Sequence, residues 1–247
     1  MKQAIQSHSR ERLEMVRWAA RIGAVTAESL ARLDATSVAS ARGRLRAAER
    51  ARLLSSSRVL SGQPALFTVT RAGLRAVALH GFEPTRVSAA NSLHAIACAD
   101  AAAALARAFP DHVVGGEREL RRDERAHECL LASVSIAGVG PGTQLHRPDL
   151  VLWPRGAREL PVAVEVELTV KSPRRLLEIC TAWSRCRHVS GVLYLVAADV
   201  KLPLARALAR TQASAQIVLV DLDALLEPDG AVASELHHIS NPVAVGA

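Results

Sequence analysis

His146-Arg-Pro-Asp-Leu-Val-Leu-Trp153, then after a short loop Val162-Ala-Val-Glu-Val-Glu-Leu168 and Lys171, is the stretch on which the reading of this chain turns. Side chains alternate between the two faces of a strand, so Glu165 and Glu167 share one face while Val162, Val164, Val166 and Leu168 line the other. If the strand runs on, Thr169 and Lys171 continue the acidic face. Asp149 opens a second apolar run, Leu150 to Trp153, and a neighbouring strand brings it beside the two glutamates. Carboxylates that close together must take up protons or recruit a cation, and a hard divalent ion such as Mg²⁺ favours oxygen ligands. The simpler account is two glutamates facing water on a half-exposed antiparallel strand. Their neighbours argue against it. Ser172-Pro-Arg-Arg-Leu-Leu-Glu-Ile-Cys-Thr-Ala-Trp183 reads as a helix with proline near its first turn, and Gly191 to Ala197 is a nearly continuous apolar strand, so helices should cover this sheet.

Working outward, Asn91 to Phe109 is alanine-rich and helical, and segments near His112 to Leu120, Leu150 to Trp153 and Val162 to Leu168 read as strands. The order is αβββαβ. With Pro148-Asp149 on the second strand and an acidic pair on the third, it resembles the PD-(D/E)xK nuclease superfamily, whose usual signature is Asp, then Asp or Glu, one residue, then Lys. This chain has E-x-E where that pattern has E-x-K, a variant that some metal-dependent restriction endonucleases of the superfamily carry. The resemblance implies that Asp149 and Glu165 bind Mg²⁺, or Mn²⁺ in its place, and that Glu167 binds metal or helps to activate water. Lys171 is then either the replacement for the missing positive charge or a solvent-facing lysine at a strand end. Glu117 is a weaker candidate ligand, with a surface acid beside Arg118 on an edge strand as the simpler account.

The amino-terminal third has a different character. Leu13 to Ile22 reads as a helix, Thr26 caps a second beginning at Ala27-Glu28, and Thr36 or Ser37 caps a third. On the third, Val38, Ala41, Leu45 and Ala48 recur at spacings of three and four and define a buried stripe. Arg46 and Arg50 fall away from it; Arg42 and Arg44 sit at its margins. Leu53 to Leu60, the turn Ser61-Gly-Gln-Pro64 and Ala65 to Thr70 then read as a β-hairpin. Helix, helix, helix, hairpin is the order of a winged helix. Phe67-Thr-Val-Thr-Arg-Ala-Gly-Leu74 is similar to the junction between wing and last helix in bacterial winged-helix regulators, in which Thr begins the helix and Gly allows close packing. That likeness implies a third helix in the major groove and a wing on the backbone, making Arg42, Arg44, Arg46, Arg50 and Arg58 the candidate contacts to double-stranded DNA. A solvated arginine-rich helix in an arginine-rich chain is the competing account.

Taken together, the two-domain order, Ser92-Leu-His-Ala-Ile-Ala-Cys-Ala-Asp100, Gly116-Glu-Arg-Glu-Leu120 read as strand, Arg147-Pro-Asp149 and Glu165-Val-Glu167 are similar to the replication-relaxation family of bacterial mobile elements, over residues about 10 to about 225. That family implies DNA binding and defines no reaction. The expected fold class is α+β or α/β: a winged helix over 10–84, a nuclease-like domain over 91–226 and an irregular tail over 227–247. The loop Gly138-Val-Gly-Pro-Gly142 would separate strands beside the site.

Composition agrees with these expectations. Lys+Arg of 31 against Asp+Glu of 24 suits a polyanion, because neutralising phosphates releases counterions. No apolar run reads as a transmembrane helix and the first residues lack a signal-peptide core, so a cytoplasmic chain with no membrane partner is expected. The four cysteines contain no C-x-x-C pair, and the spacing of Cys180, Cys186 and His188 is a poor match for zinc. The absence of a phosphate loop argues against an ATP-driven motor, and an aromatic content of 3% against single-strand binding by base stacking. Alanine over 91–109 suits either helix pairing in a homodimer or burial within one domain. Two functions of different class follow: a Mg²⁺-dependent DNA endonuclease or nickase, and a non-enzymatic regulator of transcription or replication that keeps the nuclease fold for dimerisation or DNA clamping.

Overall fold

Three helices and a hairpin come first in a computed structural model that describes residues 2–137, 143–156, 159–211 and 216–227. The chain divides into two compact units, Met1–Arg107 and Ala108–Ala247. The first contains α1 (Lys2–Ile22), α2 (Ala27–Leu33), α3 (Val38–Arg50), β1 (Leu54–Ser57), β2 (Leu66–Val69), α4 (Arg71–Ala76) and α5 (Ala89–Ala108). Local chemistry explains its boundaries. Thr26 and Ser29 exchange side-chain-to-amide hydrogen bonds of 2.9 Å, a capping box that starts α2, and Ser37 accepts the Ser40 amide at 3.1 Å to start α3. β1 and β2 pair antiparallel with Leu54 opposite Val69, and Val25 bridges to Phe67 on the free edge of β2.

Helices α2, α3 and α4 all stop in the same way. Ala35, Arg52 and Ala78 take left-handed φ values of 49°, 60° and 54°, and the amides that follow them bond back to Ala31, Ala48 and Leu74. These are Schellman closures with a residue other than glycine at the left-handed position. That is why α4 ends at Ala76, within the 10–84 span expected for the winged helix. Ala41, Leu45 and Ala48 form the buried stripe of α3, but Val38 is exposed. The stripe packs on Val16, Ala19, Ala20, Leu30, Phe67 and Leu74.

Helix α5 belongs with the first unit, whereas the sequence reading began the second domain with it. Arg107 reaches back to the Arg32 carbonyl at 3.4 Å. Among the described residues α5 is long and apolar enough to cross a membrane by length and composition, contrary to the expectation that no segment would be. Alanine supplies that apolarity, and eight of its residues, from Ser92 to Leu105, are buried in the protein.

The second unit contains β3 (His112–Gly116), α6 (Glu117–His127), β4 (Val134–Ala137), β5 (Thr143–His146), β6 (Leu150–Pro154), β7 (Val162–Glu167), α7 (Pro173–Ser184), β8 (Gly191–Val196), α8 (Ala198–Thr211), β9 (Ile217–Asp221) and α9 (Leu222–Leu226). Its mixed sheet runs β3-β6-β7-β8-β9. The β3–β6 and β6–β7 pairs are antiparallel; β7, β8 and β9 are parallel. The overall class is mixed α and β. One sheet face, with Val151, Ala163, Val192 and Tyr194, packs against Leu176, Ile179 and Trp183 of α7, Val200 and Leu204 of α8 and Val134 of β4.

The reading of a strand through Leu120 is corrected: β3 stops at Gly116 and the chain turns into α6. Glu117 and Glu119 lie in its first turn, Arg125 and His127 in its last, and Arg121 pairs with Glu117 one turn away. Charges so placed complement the helix dipole, and this outweighs the β-like run before it. The β4–β5 hairpin, α8 and β9 were not foreseen. The tail from 228 onward and the loop Gly138 to Gly142 lie outside the described residues.

Candidate functional site

In the second unit, the register of β6 on β7 sets Leu150 opposite Val164, which brings Asp149 level with Glu165. Asp149 Oδ2 accepts the Val166 amide at 2.8 Å, so its carboxylate sits at the backbone between the two glutamates. The Asp149 carbonyl accepts the Glu117 amide at 2.9 Å. Glu165 and Glu167 are 4% and 5% exposed, on a strand buried on both faces. The account in which they face water is therefore wrong, because α7 covers their side of the sheet.

Each acid has a definite environment. Glu165 Oε1 accepts from His146 Nε2 at 2.6 Å and from Trp183 Nε1 at 3.2 Å. A carboxylate only accepts, so His146 Nε2 carries the proton of that bond. Tyr194 lies opposite Glu165 on β8, and Cys180 is buried on α7. Burial first, then the charge of Glu165, pushes the Cys180 thiol up to about 11 and raises the Tyr194 phenol well above its ordinary value. Neighbours that could become anions are thus held neutral around Glu165.

Glu167 pairs with Lys171. β7 ends at Glu167, so Lys171 does not continue the strand's acidic face as the alternation suggested; it returns to Glu167 from the loop that leads into α7. Burial pushes its ammonium pKa down, while the charges of Glu165 and Asp149 pull it back up. Three carboxylates against one ammonium leave two negative charges when all are ionised, the charge that a divalent cation matches. The donors are all oxygen, and Glu165 Oε2 has no hydrogen-bond partner among the described residues. The ligand oxygens of Asp149, Glu165 and Glu167 do not, however, form a group among the described residues in which all lie within 4.8 Å of one another.

Glu117 is not brought in as a fourth carboxylate: it stands in the first turn of α6, paired with Arg121. Glu124, which drew no attention in the sequence, is buried and accepts the amides of Leu131, Ala132 and Ser133 and the Arg147 guanidinium at 3.0 to 3.4 Å. So fully bonded a carboxylate anchors a loop. His146 and Trp183 were also missed as site residues. His146 lies in the decisive stretch itself, three residues before Asp149, but nothing in that spacing pairs it with Glu165. Trp183 follows Leu176 and Ile179 at helical spacing, a signal of burial and not of a polar role. Cys186 Sγ lies 3.5 Å from His188 Nε2, which also approaches the Ser133 carbonyl, while Cys180 sits in the core on α7.

The first unit has a separate basic cleft. Arg42 and Arg46 of α3, Arg58 and the Gly62 to Phe67 side of the hairpin, and Ala27 and Glu28 of α2 line a cavity of about 530 Å³. Arg42 lies 3.6 Å from Glu28. Arg46 is more firmly held, by Glu49 at 2.6 Å, Ser56 Oγ at 3.0 Å and the Phe67 ring, whose centroid is 5.4 Å from its guanidinium carbon. Hydrogen bonds from Ser56 and Arg46 in turn hold the Glu49 carboxyl below its ordinary range. Of the five arginines chosen from sequence, Arg42, Arg46 and Arg58 meet in this cleft. Arg44 does not: it pairs with Asp34 at 2.5 Å and faces α1 beside Met15. Arg50 is exposed at the end of α3, outside the cleft lining.

No protein-family model matches this chain, and no curated protein and no solved structure matches it.

Proposed function

We propose that the chain is a DNA-binding protein of the replication-relaxation type, whose first unit is a winged helix gripping double-stranded DNA and whose second unit is a PD-(D/E)xK-like domain hydrolysing phosphodiesters with Mg²⁺ or Mn²⁺. The observation that carries the reading is the meeting of Asp149, Glu165, Glu167 and Lys171 at the ends of β6 and β7. Support for the architecture of the second unit comes from the order three antiparallel strands, helix, parallel strand in β3, β6, β7, α7 and β8, with α6 and the β4–β5 hairpin inserted; the helix expected before them, α5, falls in the first unit.

Asp149 and Glu165 would hold the cation, and Glu167 would hold it or accept a proton from water. When bound, the ion supplies Lewis acidity towards a phosphoryl oxygen and lowers the pKa of a ligated water. Lys171 places an ammonium where charge builds on the phosphate, and the buried walls around Glu165 strengthen every such interaction by excluding water. In the first unit, Arg42, Arg46 and Arg58 would take backbone phosphates. Supercoiled plasmid incubated with the protein and Mg²⁺ or Mn²⁺ should be nicked or linearised. Glu165→Gln should abolish cutting and leave DNA affinity equal or higher, since it removes negative charge near the phosphate. Intact DNA with both ions rules the nuclease out.

One observation favours a second reading. Every acid of the trio already has a protein partner: His146 and Trp183 for Glu165, the Val166 amide for Asp149, Lys171 for Glu167. A regulator of transcription or replication with an inert nuclease-like domain, used for dimerisation or DNA clamping, would be built in this way. It would bind an operator, leave DNA uncut and tolerate Glu165→Gln.

A further inference from the structure

We infer that Arg50, Arg52, Arg71 and Arg75, at the base of the β1–β2 hairpin, form a second phosphate-binding surface on the first unit, which takes the backbone of double-stranded DNA beyond the stretch held at the cleft. The inference rests on the reading of the first unit as a DNA-binding domain. It adds three arginines, Arg52, Arg71 and Arg75, that belong neither to the cleft nor to the contacts expected from sequence.

Charge singles out this part of the chain. From Arg50 to Phe82 there are five arginines and no aspartate or glutamate, in a chain with 24 acids among its 247 residues. Arg58 belongs to the cleft. The other four are exposed and have no acidic partner among the described residues. Their neighbours on α3 differ: Arg42, Arg44 and Arg46 each have a carboxylate within 3.6 Å. The backbone then gathers the four together. Thr70 Oγ1 donates to the Arg52 carbonyl at 2.7 Å and the Thr70 amide to the Leu53 carbonyl at 3.0 Å, so Arg52 and Arg71 flank the last rung of the hairpin. Arg75 follows Arg71 by one turn of α4 and shares its side of that helix, and Arg50 is the last residue of α3. Like charges gathered without a counter-charge repel one another, and a bound polyanion removes that cost.

Arg52 supplies an independent argument. It stands at φ 60°, the left-handed position after α3 that favours glycine because glycine has no Cβ. Its exposed side chain makes no hydrogen bond among the described residues, so no contact inside the unit offsets the strain. A contact outside it does. The length of the array points to the class of partner. β1 carries the chain from Arg52 to Arg58, a span of about 20 Å at the rise of a strand. A duplex presents one phosphate per about 1.7 Å of its axis, so it is a rigid anion with charge along the whole of that span. Guanidinium groups meet phosphate oxygens with paired N–H donors.

The full-length chain is titrated by fluorescence anisotropy against a labelled mixed-sequence duplex of about 24 base pairs, at salt from about 50 to about 200 mM. Arg52→Gly, the double change Arg71→Ala with Arg75→Ala, Arg58→Ala and the exposed control Arg210→Ala are compared with wild type, and urea midpoints are read by circular dichroism. Arg52→Gly should keep or raise the midpoint, because glycine relieves the left-handed position. It should nevertheless reduce the slope of log K against log salt by about 0.9, so that the fourfold rise in salt costs about 3.5-fold less affinity than in wild type. The double change should reduce the slope by about 1.8. If Arg58→Ala lowers the slope while these folded variants keep the wild-type value, the second surface is refuted and the cleft reading stands. An equal reduction in Arg210→Ala and Arg52→Gly makes the effect one of net charge and also refutes the surface. If Arg52→Gly and the double change lower the slope and Arg58→Ala does not, the surface stands and the cleft assignment falls. If folded wild type binds no duplex, both fall.

Discussion

Arg58→Ala is the most discriminating change in the basic cleft. Arg42 has Glu28 nearby and Arg46 is engaged by Glu49, Ser56 and Phe67, whereas Arg58 is exposed and has no acidic partner among the described residues. Its removal should therefore subtract a phosphate contact without loosening α3 from the hairpin. Each neutralised phosphate contributes about −0.9 to the slope of log K against log salt. If all three cleft arginines contact phosphate, they account for a slope of about −2.7, and a fourfold rise in salt, from about 50 to about 200 mM, lowers affinity by about 40-fold. With Arg58 gone the cleft's share becomes about −1.8, and the same rise costs only about 12-fold. Fluorescence anisotropy of a labelled duplex, repeated at several salt concentrations, measures the slope directly. Arg210→Ala, an exposed change at the end of α8, serves as the control and should leave it alone. An unaltered slope in Arg58→Ala, or an equal reduction in Arg210→Ala, would refute the assignment of DNA binding to this cleft.

Two further outcomes are expected from the first unit. A Cβ at Gly73 would stand 2.1 Å from the Leu53 carbonyl oxygen and 2.9 Å from Val69 Cγ2, so Gly73→Ala must push α4 off the hairpin and should cost about 1 to 3 kcal/mol, read as a lower urea midpoint by circular dichroism; an unchanged midpoint contradicts the packing. Burial raises the Asp100 carboxyl from 3.8 to about 6 despite the Arg32 charge, and its Oδ1 has no hydrogen-bond partner among the described residues. The neutral form is thus favoured on folding, so stability is fully present below about pH 4 and declines as pH rises through about 6, by up to about 3 kcal/mol. Asp100→Asn should flatten that decline and raise the melting temperature at neutral pH; a variant with the wild-type pH profile would show that Asp100 is not its source.

The sequence carried the first unit's order well, because each boundary has a local cause. Thr26 and Ser37 cap helices as their positions suggest, and Thr70 caps α4 while its hydroxyl donates to Arg52 and Leu53 carbonyls, beside a Gly73 with no room for a side chain. Helix ends were harder, since the Schellman closures at Arg52 and Ala78 use no glycine and leave no signal. In the second unit, the shared face of Glu165 and Glu167 was legible from period-two alternation. What supports those glutamates was not. His146 and Trp183 reach Glu165 from 19 and 18 residues away, through a hairpin and a helix whose return to the same oxygen is a product of tertiary packing. Arginine on a helix margin was likewise readable, but whether it turns to a cleft or to Asp34 depends on a loop ending in Ala35, which period and composition do not describe.

The partners of the trio differ in kind, and that difference weighs on the choice between the two functions. The Val166 amide brings Asp149 a hydrogen bond but no charge, as does the Trp183 indole for Glu165, whereas the His146 ring on Glu165 brings charge only when it is protonated. The compensating charge offered by lysine is Lys171 on Glu167, and the Lys171 side chain is 36% exposed. Because Glu167 is nearly buried, this pair is more than a surface salt bridge, and a cation would have to displace or share the Lys171 ammonium. The lysine stands in the loop before α7 and not at position 167 on β7. Both proposed functions accommodate a partnered trio. The two functions part at Glu165, because the nuclease needs its negative charge and the regulator needs only its hydrogen bonds. Gln at that position keeps an acceptor for His146 and Trp183 and loses the charge, so cleavage lost with operator binding retained would identify the charge as the part that does chemistry.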